Sequence, residues 1–150
     1  AAEIRHAPVS RQFRNELLQS FAKVIAETGV VPALNQIEVN PKLQQPELRA
    51  VNAKHGIVTQ AWTPLGNARS FEDAPIAEAA ARTGKSPAQV VLRWHIQLGN
   101  AVIPRSEKPA RQAENLDVFD FELTPAEMEA IAGLDIGLRC GPDPSVFRLL

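Results

Sequence analysis

The chain has 150 residues, of which 45% are hydrophobic and 22% are charged, and its formal net charge is −1 at pH 7. This length and composition are typical of one globular domain, residues 1–150, with its own hydrophobic core. The near-zero charge leaves no global positive field that would bind nucleic acid or an anionic membrane. Any anion site must therefore be local.

Three absences narrow the class of protein further. Cys140 is the only cysteine, which excludes an intramolecular disulfide framework and favours a reducing compartment. No apolar run approaches the ~18 residues of a membrane span, and the first residues lack a signal-peptide core, so we expect a cytoplasmic protein without a membrane partner. The chain contains no Tyr, so a phenol cannot act as general acid within one subunit.

Helices and strands alternate in the first half of the chain. Apolar residues at helical spacing predict an amphipathic helix from Arg11 to Thr28. A strand is predicted over residues 33–39, a helix from Pro46 to His55 and a second strand over residues 57–62. His55 lies in the last turn of its helix, where it is expected to compensate the helix dipole rather than to bind a ligand.

Polar and aromatic residues on these two strands are candidate ligand groups. Gln36, Glu38 and Asn40 alternate along the first strand and point to one side, which either lines a wet barrel mouth or faces solvent. Trp62 ends the second strand, where its indole is either a stacking platform for a flat ring or a core residue. The residues alone leave both alternatives open.

Two capping boxes mark helices in the second half. Ser86-Pro87-Ala88-Gln89 begins a helix that buries Trp94, and Thr124-Pro125-Ala126-Glu127 begins the last helix. His95 has no Cys, Asp or His at metal-ligand spacing, so we expect it to be structural or exposed. A further helix is predicted from Asp73-Ala74-Pro75 to Thr83-Gly84.

A third strand over residues 101–104 precedes a helix that begins at Pro109. Strands alternating with helices predict right-handed crossovers and a parallel sheet. The expected fold class is α/β, with three parallel strands and the helices outside. Ligand groups in such folds gather at the carboxyl ends of the strands, and Gln36, Trp62-Thr63 and Arg105-Ser106 all lie at or near those ends.

The segment after the third strand carries the clearest chemical pattern. Arg105, Ser106 and the free N–H groups at the start of the next helix are donors for an anion. Arg111, Glu114 and Asn115 follow at i, i+3 and i+4 and share one helix face. This arrangement suits a phosphate beside an amine-bearing ring. The alternative is a βα unit whose helix presents a solvated charged face.

Four motifs together resemble one known family. They are Asn35-Gln36-Ile37-Glu38, Ala61-Trp62-Thr63-Pro64-Leu65-Gly66, Val102-Ile103-Pro104-Arg105-Ser106 and Gly141-Pro142-Asp143-Pro144. In combination they resemble the C-terminal half of an aldo-keto reductase, from about residue 25 to residue 147. The resemblance implies part of a (β/α)8 barrel, a half TIM-type barrel here, from a family that binds NADPH across the barrel rim and reduces aldehydes and ketones.

The resemblance also implies a role for each candidate residue. Gln36 matches the residue that hydrogen-bonds the nicotinamide carboxamide, and Trp62 matches the aromatic residue, usually Tyr, that stacks on the nicotinamide ring. Thr63, Leu65 and Asn67 match the loop near the pyrophosphate. The remaining matches are Arg105 (usually Lys) and Ser106 at the 2′-phosphate, Arg111 at the same phosphate or the adenine face, and Glu114 with Asn115 at the adenine edge.

The catalytic Asp, Tyr, Lys and His of that family belong to the first half of its barrel, and nothing in this chain corresponds to them. We therefore expect a protein that keeps an NADP(H)-binding rim but does not reduce carbonyl compounds as an isolated monomer. The alternative is a noncatalytic binding or assembly module derived from the same fold.

Three parallel strands cannot close a barrel, so one face of the sheet needs a cover. A homodimer, the N-terminal residues or a separate partner segment would each supply it. We expect self-association, because a large exposed apolar surface is improbable on a soluble protein.

Overall fold

Three short parallel strands form one sheet in the computed structural model, which describes residues 23–142. The strands are β1 (Leu34–Glu38), β2 (Val58–Trp62) and β3 (Ala101–Val102), and they lie in the order β1-β2-β3. The register pairs Leu34 with Val58 and Gln60 with Ala101. All three strands were expected, although β3 is two residues shorter than predicted.

Five helices connect and follow the strands. They are α1 (Pro46–Lys54), α2 (Ala74–Thr83), α3 (Pro87–Gln97), α4 (Pro109–Leu116) and α5 (Pro125–Ala132). A 3-10 turn lies at Gly66–Ala68, and residues 23–28 are helical. The rest of the helix predicted from Arg11 lies outside the described residues. The α/β class with parallel strands is thus confirmed.

The two predicted capping boxes are both formed. Ser86 Oγ accepts the N–H of Gln89, and the Gln89 side chain accepts the N–H of Ser86. Thr124 and Glu127 make the same reciprocal pair. Because these bonds satisfy N–H groups that the helix itself leaves unpaired, α3 and α5 begin where the sequence predicted.

The hydrophobic core lies between one face of the sheet and the helices. Ala61 of β2 and Val39, the residue after β1, pack with Ile76, Val91 and Trp94 from α2 and α3, and all five are fully buried. A buried polar link fastens α1 to the same face: Asn52 donates to Thr59 Oγ1 at 2.9 Å and accepts from Asn35 at 3.2 Å. The prediction that Trp94 belongs to the core is confirmed.

Within residues 23–142 the other face of the sheet is covered only at its end, where the segment that follows α5 reaches Glu38. Leu34 and Val58, paired on β1 and β2, are 48% and 47% exposed. Gln36, two residues further along β1, is also exposed. In the described part of the chain, β1 is an edge strand. No helix within residues 23–142 is long and apolar enough to cross a membrane.

Candidate functional site

A cleft of about 840 Å³ lies between the segments that follow β2 and β3. Its walls are the loop from Thr63 to Phe71, the start of α3, and the segment from Ile103 through α4. Eight of the ten residues predicted from the sequence line this cleft: Thr63, Leu65, Asn67, Arg105, Ser106, Arg111, Glu114 and Asn115. Two predicted residues, Gln36 and Trp62, are not among its lining residues.

The loop after β2 has an unusual backbone. Thr63, Asn67 and Ala68 have φ angles of 49°, 54° and 62°, in the left-handed region that residues with a Cβ rarely adopt. Each such residue costs on the order of 1 kcal/mol or more and persists only where surrounding contacts impose it. The loop is therefore held in shape by its neighbours.

Two contacts hold this loop. The ring of His95 is fully buried in α3. Its Nε2 lies 3.1 Å from the carbonyl oxygen of Pro64, and its Nδ1 lies 3.2 Å from the side-chain nitrogen Nδ2 of Asn100. Since the Pro64 carbonyl only accepts, Nε2 carries the proton. On the other side, a Cβ at Gly66 would lie 3.2 Å from the Asn40 side chain, so glycine allows the loop to approach the segment that follows β1.

Burial lowers the pKa of His95 to about 4, and the positive charge of Arg49 acts in the same direction, while the bond to the Pro64 carbonyl opposes it. The imidazole is therefore neutral near pH 7. The prediction that His95 has a structural role is confirmed. The alternative, that its side chain is exposed, is wrong because the residue is fully buried.

The guanidinium group of Arg105, in the loop after β3, is exposed to solvent. The Arg105 side chain is 89% exposed, and its Nη2 lies 2.8 Å from Glu107 Oε1. Ser106 is held locally, because its Oγ accepts the N–H of Lys108 at 3.3 Å and its carbonyl accepts from Gln112 at 2.8 Å. A surface ion pair of this kind is weak, so an anionic ligand can compete with Glu107 for Arg105.

Helix α4 turns one face toward the same cleft. Arg111, Glu114 and Asn115 all line it, as their i, i+3 and i+4 spacing requires. The N-cap residue Lys108 makes no side-chain cap, so the first N–H groups of α4 are open to a ligand. Two arginines, a glutamate and an asparagine thus line one cleft.

Sequence reasoning missed part of the cleft wall. Ser86, Pro87 and Ala88 at the start of α3 line it, as do Phe71 and Ile103. The capping box located the start of α3, but only the tertiary arrangement brings that helix end beside the loops after β2 and β3.

The polar side of β1 differs from its prediction. Only Gln36 is exposed; Glu38 and Asn40 are each 1% exposed. The Glu38 carboxylate accepts the Asn40 side-chain N–H at 3.3 Å and the backbone N–H groups of Cys140 and Gly141 at 2.5 and 3.2 Å. The prediction that all three residues line a wet mouth or face solvent is therefore wrong for Glu38 and Asn40.

The residues that line the cleft have the chemistry to bind a phosphorylated nucleotide. Within residues 23–142 no group of three His, Cys, Asp or Glu residues could hold a metal ion. The positive charges of Arg105 and Arg111 are of the kind that binds phosphate, and Glu114 and Asn115 carry acceptors that an amine-bearing ring requires.

The chain is similar to known reductases over most of its length. The model of the Aldo/keto reductase family matches residues 3–136, and so begins earlier than the expected residue 25. An aldo-keto reductase of Mycolicibacterium smegmatis is 56% identical over 125 residues, which are 83% of this chain and 46% of the relative. The methylglyoxal reductase DkgA of Yersinia pestis is 50% identical over 127 residues, 83% of this chain and 46% of the relative. The chain spans about half the length of the curated relatives it matches.

Solved structures agree with this result. The apo form of Gox0644 superposes with a TM-score of 0.84 at 45% identity, over 88% of this chain and 49% of that chain. A mutant of Gox0644 in complex with NADPH gives a TM-score of 0.83 at 45% identity, over 87% of this chain and 49% of that chain. The three-stranded sheet with its helices is thus part of an aldo-keto reductase barrel. The chain belongs to the aldo/keto reductase family.

Proposed function

We propose that this chain binds NADP(H) across the rim formed by the ends of its strands. The observation that carries the proposal is the convergence of Arg105, Arg111, Glu114 and Asn115 on the 840 Å³ cleft. Relatives in solved structures bind NADPH or NADP, which supports the same cofactor here.

In this proposal the two guanidinium groups hold the 2′-phosphate, with Ser106 as a further donor. Glu114 and Asn115 accept hydrogen bonds from the adenine amine, and the loop of Thr63, Leu65 and Asn67 faces the pyrophosphate. At the other end, Trp62 stacks on the nicotinamide ring and Gln36 bonds its carboxamide. When bound, NADPH supplies the hydride of the family's reaction.

We further propose that the chain alone does not turn over carbonyl substrates. Hydride transfer to a carbonyl leaves negative charge on oxygen, which needs a proton donor of suitable pKa. The chain has no Tyr. Among the histidines of the described residues, His95 is buried in the core and His55 follows α1, away from the cleft lining. The missing donor would have to come from a partner.

Self-association in the cytoplasm completes the proposal. The exposed pair Leu34 and Val58 supports it, because half-exposed apolar side chains on the edge strand β1 and its neighbour β2 favour association. The same observation supports the second candidate function, a noncatalytic assembly module in which the nucleotide-binding residues are inherited.

Titration with NADPH and NADH separates the two functions. Trp62 fluorescence should be quenched by NADPH, and Arg105→Ala or Arg111→Ala should weaken NADPH about 10- to 100-fold, since each removes one charge-assisted bond worth about 1.5 to 3 kcal/mol. NADH lacks the 2′-phosphate, so it should bind the wild-type chain more weakly than NADPH does. Neither arginine substitution should change the affinity for NADH much.

Lys54→Ala is the matched control, because Lys54 is an exposed cation on α1, away from the cleft. The absence of quenching at millimolar NADPH would reject the nucleotide site and favour the assembly module. A parallel assay of aldehyde reduction tests the second part of the proposal, and turnover by the chain alone would contradict it.

A further inference from the structure

The segment from Arg139 to Gly141 lies across the ends of β1 and β2. Its path is held by several bonds from distant parts of the chain. The N–H groups of Ile136 and Leu138 donate to the Lys42 carbonyl at 3.2 and 3.0 Å, and Arg69 donates to the Arg139 carbonyl at 3.3 Å. These bonds bring the segment from α5 back to the rim.

Glu38 is the group that the segment reaches. Its carboxylate is almost fully buried and accepts the backbone N–H of Cys140 at 2.5 Å and of Gly141 at 3.2 Å. The Arg139 side chain, itself 9% exposed, lies with Nη1 3.9 Å from the same carboxylate. Burying a carboxylate costs free energy unless hydrogen-bond donors compensate it, and here two of the donors are amides of one short segment.

Gly141 meets the indole of Trp62. A Cβ placed on Gly141 would lie 2.3 Å from Trp62 Cη2 and 3.0 Å from Cζ3, closer than any side chain could come. Both atoms belong to the outer edge of the six-membered ring. Glu38 and Trp62 are paired in the register of β1 and β2, so the carboxylate and the indole are direct neighbours on one face.

We propose that Glu38 is a positioning residue: by holding the amides of Cys140 and Gly141, it presses the segment against the edge of Trp62 and fixes the indole as a platform for a flat ring. Gly141 is required because only hydrogen fits between the segment and the indole. The position of the platform therefore depends on bonds between Glu38 and amides that lie 102 and 103 positions later in the chain. This proposal rests on the proposed binding of NADP(H) and concerns only its nicotinamide end.

Two variants test it from opposite sides of the contact. Glu38→Gln removes the negative charge and replaces one acceptor oxygen by a donor, so one of the two backbone amides loses its acceptor. Gly141→Ala leaves Glu38 intact but cannot fit against Trp62. The matched control is Gly133→Ala, at a glycine that also has an ordinary φ, −65°, and lies at the end of α5.

The first readout needs no nucleotide. Trp94 is fully buried, so acrylamide quenching reports mainly on Trp62. Both variants should raise the quenching constant about twofold relative to the wild type, and Gly133→Ala should not. Unchanged quenching in both variants would overturn the proposed contact.

The second readout separates the two ends of the ligand by calorimetry. NADP⁺ carries the nicotinamide ring, whereas adenosine 2′,5′-bisphosphate carries only the adenine and the 2′-phosphate. Both variants should weaken NADP⁺ about tenfold and leave the bisphosphate unchanged. Equal NADP⁺ binding by variants and wild type would overturn the positioning role alone.

Loss of both ligands to the same degree would show a general structural effect and would also overturn it. A wild-type chain that binds neither ligand would reject the proposed function itself. The failures of the two proposals are therefore distinguishable.

Discussion

A neutral histidine deep in the core shows how one residue connects packing to the candidate site. His95 packs edge-on against Trp94, with ring centroids 4.6 Å apart, and its two nitrogens bond Pro64 and Asn100. The bond to Pro64 reaches the loop whose left-handed residues line the cleft. The shape of that loop therefore depends on a side chain that is not part of the cleft lining.

This arrangement predicts a pH-dependent stability. The unfolded chain protonates His95 near its ordinary pKa of 6.5, whereas the folded chain resists protonation until about pH 4. The unfolded state thus binds more protons in this window, and the free energy of unfolding should fall as the pH drops from 6.5 to 4, by up to about 3 kcal/mol.

Urea unfolding at several pH values measures this dependence, and His95→Gln should flatten it between pH 6.5 and 4. His55→Gln, which removes an exposed histidine, controls for the substitution. An equal slope for the wild type and His95→Gln would contradict the assignment.

At the scale of elements, helix starts follow from short sequence patterns, because each capping box closes over four consecutive residues. The strands are less local. The predicted third strand ends early at Val102, since Pro104 lacks an N–H and the chain turns toward the loop of Arg105. Side-chain links then join the helices, as where Arg82 of α2 donates to Glu127 of α5.

The cap of α5 gives a prediction at this scale. Thr124 Oγ1 accepts the N–H of Glu127 at 3.2 Å, so Thr124→Ala should lower the free energy of unfolding by about 1 kcal/mol. Thr124→Ser keeps the hydroxyl and should retain most of the stability. Equal urea midpoints for the Ala and Ser variants would show that the cap contributes nothing.

For the whole molecule, the decisive feature is a sheet whose second face is covered by the described residues only at the Glu38 end. Helices bury Ala61 and Val39, whereas Leu34 and Val58 remain about half exposed on the opposite face. The exposed pair lies on β1 and β2, and β1 is an edge strand in the described range. Such a surface favours association with another chain.

Light scattering after size exclusion tests this expectation. The wild-type chain should have the mass of a dimer or larger assembly, and a Leu34→Glu/Val58→Glu double variant should shift toward the monomer. Leu116→Glu changes an exposed apolar residue at the end of α4 and should keep the assembly. A monodisperse wild-type monomer would reject self-association.

The sequence by itself determined the helix starts, the alternation of strands and helices, and the basic pattern of Arg105 to Asn115, because these depend on neighbours within a few positions. Four separate motifs also carried the family resemblance. The roles of the ten cofactor residues remain predictions for the binding experiments.

Only the tertiary structure decided which residues meet. It gathered eight predicted residues around one cleft, added the start of α3 to its wall, and buried Glu38 and Asn40, which the alternating pattern had placed at a wet surface. It also set Gly141 against Trp62. The physical reason is distance along the chain. Glu38 and Cys140 are separated by 102 positions, and only the folded backbone brings them into contact. A local pattern of polar and apolar residues does not specify such a contact.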